Sequence, residues 1–131
     1  MSVALDLKLP GGPRAPSAAR HALDGLGDVL DGDLLENVRL LVSELVTNSI
    51  RHSGIGRRDR IALKVRVSSR TVLAEVCDPG IGFEGRATIP TEGQTSGWGL
   101  FLVEQIADRW GVRGNGGSCV WFEIALPGHA R

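Results

Sequence analysis

The apolar positions of this chain follow two rhythms. In "VALDLKL" (residues 3–9), "RIALKVRVS" (60–68) and "TVLAEVC" (71–77), apolar and polar residues alternate with period two, as in half-buried strands. "SSR" between the last two predicts a short antiparallel hairpin. Elsewhere the period is helical. Over residues 17–30, Ala18, Ala22, Leu26 and Leu30 recur at that spacing with Val29 alongside. Gly25 and Gly27 weaken this helix, by up to roughly 1 kcal/mol each relative to Ala. The clearest helix comes next, where Leu34, Val38, Leu41, Val42, Leu45 and Ser49 form one stripe. Asp33 followed by Glu36 predicts a capping-box variant with Asp33 as N-cap, and Gly54 and Gly56 end the helix. A third helix is predicted over residues 98–110, with Leu100, Val103, Ala107 and Trp110 on one face. "GVRG" and "SCVWFEIAL" then predict a second hairpin around Asn115 and Gly116.

Strand, helix, helix, hairpin, loop, helix, hairpin is not the regular alternation that a parallel, doubly wound sheet requires. It predicts a two-layer α/β sandwich, with a mixed, mostly antiparallel sheet covered on one face by three helices. The 131 residues are expected to form a single domain, 1–131. A chain of this length buries roughly two-thirds of its unfolded surface and needs no disulfide or metal to hold a core.

Charge removes one class of function. Fifteen Lys and Arg balance fifteen Asp and Glu, so no nucleic-acid partner held by bulk phosphate attraction is expected. Cys77 and Cys119 lie in apolar, strand-like runs outside any CxxC pair, so two buried reduced thiols are expected and no zinc site. No apolar run approaches the roughly 20 residues that span a bilayer. "MSVALDLKLP" lacks the basic start and long apolar core of a signal peptide, so a cytoplasmic protein with no membrane partner is expected.

The eighteen glycines cluster between periodic segments, most of them as punctuation. Two clusters invite more. "DPGIGF" (78–83) places a carboxylate and two glycines at the end of a strand, and "SGWGL" (96–100) opens a helix. A flat base fits against Gly80 and Gly82 because no Cβ intervenes, and Asp78 can accept the hydrogen bond of an exocyclic amine. Gly97 and Gly99 let backbone N–H groups approach phosphate oxygens at a helix N-terminus. Taken alone, each pair reads as a tight turn. On the preceding helix, Glu44 and Asn48 stand one turn apart, and Arg51 and His52 continue the stripe. A solvated face would give such a stripe, yet Asn is a mediocre helix former and surface stripes favour Lys and Glu. Glu plus Asn offers a base and a hard oxygen ligand of the kind Mg²⁺ takes.

ExxxN on a helix, then DxGxG after a strand, then GxGL opening a helix, resembles the ATP-binding superfamily of gyrase, heat-shock chaperone, histidine kinase and MutL, with its Bergerat-type fold. The chain is most similar to the branch of anti-sigma-factor serine/threonine kinases, over nearly its whole length. The resemblance implies ATP and Mg²⁺ as cofactors, with Glu44 as general base and Asn48 as metal ligand. It puts Asp78, Gly80 and Gly82 in the adenine box and Gly97, Trp98, Gly99 and Leu100 in the phosphate box. Ser118 falls where the family often has a Thr near the adenine pocket. Arg51 could reach a phosphate or remain a surface arginine, and His52 would line the pocket edge. Arg20 falls where kinases of this branch carry an arginine used with partner proteins. Thr95 and Ser96 stand where the family often has further glycines. A histidine kinase adds a helix hairpin bearing a phosphoacceptor His, and His21, His52 and His129 are expected to lie outside any such hairpin; gyrase and MutL relatives need transducer domains, and none is expected here.

The expected function is therefore an ATP-dependent serine/threonine protein kinase acting as an anti-sigma-type switch. Its expected partners are a sigma factor, an anti-anti-sigma protein, or both, with the loop 83–96 over the nucleotide. Two alternatives stay open: a module that binds ATP and sequesters a regulator without phosphotransfer, and a stand-alone ATPase. The strand at 3–9 could also pair across a two-fold axis in a homodimer.

Overall fold

The computed structural model describes residues 3–52, 56, 58–80, 98–114 and 117–126. Its elements are β1 (Val3–Pro10), α1 (Ala15–Leu23), a 3₁₀ turn (Asp24–Leu26), α2 (Gly32–His52), β2 (Arg60–Val67), β3 (Thr71–Asp78), α3 (Trp98–Ile106), β4 (Arg109–Gly114) and β5 (Ser118–Ala125). The strands form one sheet in the order β1-β2-β3-β5-β4, and all four pairings are antiparallel. This is the α/β sandwich that the element order predicted.

Alternation in the strands sets the two faces of the sheet. Ile61, Leu63, Val65 and Val67 on β2, Val72, Ala74 and Val76 on β3, and Val120, Phe122 and Ile124 on β5 are buried. They join one core with Leu34, Val38, Leu41, Val42, Leu45 and Val46 of α2 and with Leu100 and Val103 of α3. The 21-residue α2 is the central helix, packed on α1, on α3 and on β3. The opposite face of the sheet carries the alternate residues, among them Lys64, Arg66, Glu75 and Trp121, which are exposed or half-buried.

Local chemistry moved three predicted boundaries. The first helix stops at Leu23, and a 3₁₀ turn takes over at the glycine-rich "DGLG", because each glycine surrenders more backbone entropy to a helix than other residues do. The cap of α2 is Asp31, not Asp33: Asp31 Oδ1 accepts the Leu34 N–H at 2.8 Å. Glu36 turns instead to the Arg39 guanidinium, 3.5 Å away. The third helix ends at Ile106 and not at Trp110. Asp108 there leaves the helix and ties the chain to β5. Its N–H donates to the Glu123 carbonyl at 2.9 Å, and its Oδ2 accepts from Ala125 N–H at 2.6 Å. Trp110 is thus a strand residue, its indole N–H donating to Glu104. Both predicted hairpins form. Ser68 closes the first, its Oγ accepting the N–H groups of Arg70 and Thr71, while the tip at Asn115 and Gly116 lies outside the described residues.

The expectation of two buried reduced thiols is corrected. Cys77 and Cys119 are joined in a disulfide. They sit directly opposite each other in the β3–β5 register, half-buried on the face away from the helices. Their strands are apolar on the other face, which is why the run looked like core.

Candidate nucleotide site

The end of β3 and the start of β5 lie side by side, and α2 packs on β3. Alternation turns Asp78 towards the helices as the last residue of β3. It is only 6% exposed, and its Oδ1 accepts the Gly80 N–H at 2.8 Å, so the carboxylate organises its own glycine turn. Oδ2 accepts no hydrogen bond from the described residues. Opposite it in register stands Ser118, 4% exposed. Gly117 precedes it, and a Cβ there would lie 2.5 Å from the Asp78 carbonyl oxygen. The two strand ends therefore approach as closely as they do only with glycine at 117.

From α2 comes Asn48, 8% exposed, whose side-chain amide makes no hydrogen bond among the described residues. A buried polar group without a partner costs free energy, so native structures rarely keep one without a use. Glu44, one turn earlier, is half-buried. Neighbouring polar residues are differently employed: Thr47 Oγ1 donates to the Ser43 carbonyl at 2.8 Å, and Ser43 Oγ to the Leu40 carbonyl at 3.0 Å. Arg51 is exposed on the last turn. His52 is the last residue of α2. Trp98, Gly99 and Leu100 form the first turn of α3, where Leu100 is buried against the core. Gly82, Gly97 and the loop 83–96 lie outside the described residues. Arg20 is exposed on α1, which packs on α2, and does not belong to this pocket.

Two residues of this region escaped the sequence reading. Ser49, next to Asn48, is buried, yet it sat in the apolar stripe and looked like filler. Gly117 belongs to a glycine cluster that read as hairpin punctuation, and only the register shows what its missing side chain permits.

The donor set suits a nucleotide with a metal. A buried carboxylate oxygen and a buried amide without partners among the described residues can receive an amine and offer an oxygen to a hard cation, respectively. A profile of the histidine kinase-like ATPase domain matches residues 10–124, and the chain belongs to that family. Its curated relatives include the serine-protein kinase RsbW of Listeria innocua serovar 6a and that of Listeria monocytogenes serovar 1/2a. Each is 26% identical over 118 residues, covering 79% of this chain and 75% of the relative. The likeness to anti-sigma-factor kinases, first seen in the motifs, thus holds in whole-chain comparison. In three dimensions the chain is similar to the crystal structure of the RsbU and RsbW domains of Rv1364c from Mycobacterium tuberculosis. The TM-score is 0.72 at 21% identity, covering 95% of this chain and 32% of that one. Among the described residues, no helix is long and apolar enough to cross a membrane.

Proposed function

We propose that this protein is an ATP-binding regulator that phosphorylates a serine of an antagonist protein, in the manner of an anti-sigma-factor kinase of the cytoplasm. The observation that carries the reading is a pair of buried polar groups, Asp78 Oδ2 and the Asn48 amide, that take no hydrogen bond among the described residues and stand on two elements that pack together. Asp78 receives the exocyclic amine of adenine, and Gly80 leaves room for the ring. Ser118 closes the wall beside it. Asn48 holds Mg²⁺, which neutralises charge on the phosphates. Gly97, Trp98 and Gly99 present backbone N–H groups to phosphate oxygens at the start of α3. Glu44 accepts the proton of the serine hydroxyl as it attacks, and the rest of the catalysis is positioning and electrostatics. Arg20, outside the pocket, meets the partner protein.

Names borne by relatives support this reading: those at 26% identity are serine-protein kinases. Titration of ATP with and without Mg²⁺ tests the pocket. Incubation with labelled ATP and candidate antagonist proteins tests the transfer. Expected are Mg²⁺-dependent binding and label on a partner serine. Binding without label would make the protein a sequestering module, and release of phosphate to water alone would make it an ATPase.

A further inference from the structure

The disulfide and the adenine wall occupy consecutive residues on both strands. Cys77 precedes Asp78 on β3, and Cys119 follows Ser118 on β5. In register Cys77 faces Cys119 and Asp78 faces Ser118. Alternation sends the sulfurs to the open face and the two polar side chains to the helix face. Asp78 and Ser118 are the last pair of this ladder, at the place where strand ends fray most readily. A covalent link one residue inward holds that last pair together.

The sulfurs are also within reach of solvent. A cavity of about 350 Å³ is lined by both cysteines, Glu75 and Arg113, with Asp78, Gly117 and Ser118 at the strand ends beside them. Arg113 stands opposite Cys119 in the β4–β5 register, and its guanidinium bonds Glu75 Oε2 at 2.6 Å. A cation beside a cysteine favours the thiolate, the form that takes part in exchange, while the Glu75 carboxylate works against it.

We propose that Cys77–Cys119 is a reversible redox modification site that sets nucleotide affinity, the oxidised form binding ATP more tightly. The inference rests on the ATP-site reading above. In reduction, the thiolate of a small dithiol attacks one sulfur to give a mixed disulfide. That attack frees the other cysteine as a thiolate; the dithiol's second thiol then displaces the first cysteine from the mixed disulfide, so the protein gains two electrons and two protons and the dithiol leaves as a disulfide. Oxidation by glutathione disulfide runs the other way, releasing two glutathione thiols. Reduced, the ends of β3 and β5 separate more freely, and ordering Asp78 against Ser118 is charged to nucleotide binding.

The test compares one preparation in two states. Wild-type protein is oxidised with glutathione disulfide or reduced with dithiothreitol, free thiols are counted by alkylation and mass, and ATP·Mg²⁺ is titrated calorimetrically. Expected are two thiols on reduction, affinity weaker by about fivefold or more, the low end of two-site couplings, and recovery on reoxidation. Linkage requires the reciprocal effect: saturating ATP should make the disulfide harder to reduce, by about 20 mV for a fivefold coupling in a two-electron couple. The Cys77→Ser/Cys119→Ser variant should bind like the reduced protein and ignore both reagents. Equal affinity in the two states, or two thiols that stay free in glutathione disulfide, would overturn the switch and leave the ATP site standing. No ATP binding in either state would overturn the ATP site itself, and the switch with it.

Discussion

Asp78 divides its two oxygens between duties. Oδ1 shapes the turn through the Gly80 N–H, and Oδ2, which accepts no hydrogen bond from the described residues, is proposed to take the ligand. Asp78→Asn keeps the shape and can keep one acceptor, so folding should change little. ATP binding should weaken by about 1.5–3 kcal/mol, the range for hydrogen bonds to charged groups. The preference for ATP over GTP should shrink as well, which competitive titration would read. Glu44 and Asn48 share a stripe, and the proposed function gives them different tasks. Glu44→Gln should abolish phosphotransfer, a loss of about 10²–10⁴-fold, while ATP·Mg²⁺ still binds; Asn48→Ala should erase the Mg²⁺-dependent part of the affinity. Calorimetry beside a transfer assay separates the two. Gly117→Ala would drive a methyl into the Asp78 carbonyl, so a cost of about 1–3 kcal/mol is expected in thermal unfolding. Asp78, Glu44 and Asn48 were legible in sequence because each breaks or complicates the rhythm around it. Gly117 and Ser49 were not, since a glycine among glycines and a small residue in an apolar stripe break no pattern. The disulfide was hidden for a different reason. Cys77 and Cys119 are 42 residues apart in sequence and meet only through strand order and register, neither of which periodicity contains.

At the scale of elements, strands were read better than helix ends. A strand declares itself in every second residue, whereas a helix end depends on one or two hydrogen bonds. Asp31 and Asp33 both stand near the start of α2, and the choice between them rests on which carboxylate reaches an N–H two or three residues on. Asp31→Ala should therefore destabilise the protein by about 1 kcal/mol, the usual worth of an N-cap, and Asp33→Ala should do much less. Denaturant melts of the two variants decide it. The end of α3 shows the same limit: Leu100, Val103, Ala107 and Trp110 keep helical spacing, but Asp108 bonds to β5 and takes the chain into the sheet.

Across the described residues, the helices pack on one face of the sheet, with α2 against α1, α3 and β3. Arg20 is exposed on α1, and the proposed reading gives it to partner recognition and not to chemistry. Arg20→Ala should leave ATP affinity unchanged and reduce capture of the partner; loss of ATP binding in a folded variant would return Arg20 to the pocket. The strand order, β1-β2-β3-β5-β4, bears on how the molecule is made. A ribosome delivers β4 before β5, yet β4 touches the sheet only through β5. Until β5 emerges, β1, β2 and β3 can pair while the far edge of β3, ending in Asp78, stands bare. Ser118 is the first residue of the strand that covers that edge. During synthesis the proposed nucleotide wall of Asp78 and Ser118 is thus completed only after most of the core-forming residues have left the exit tunnel.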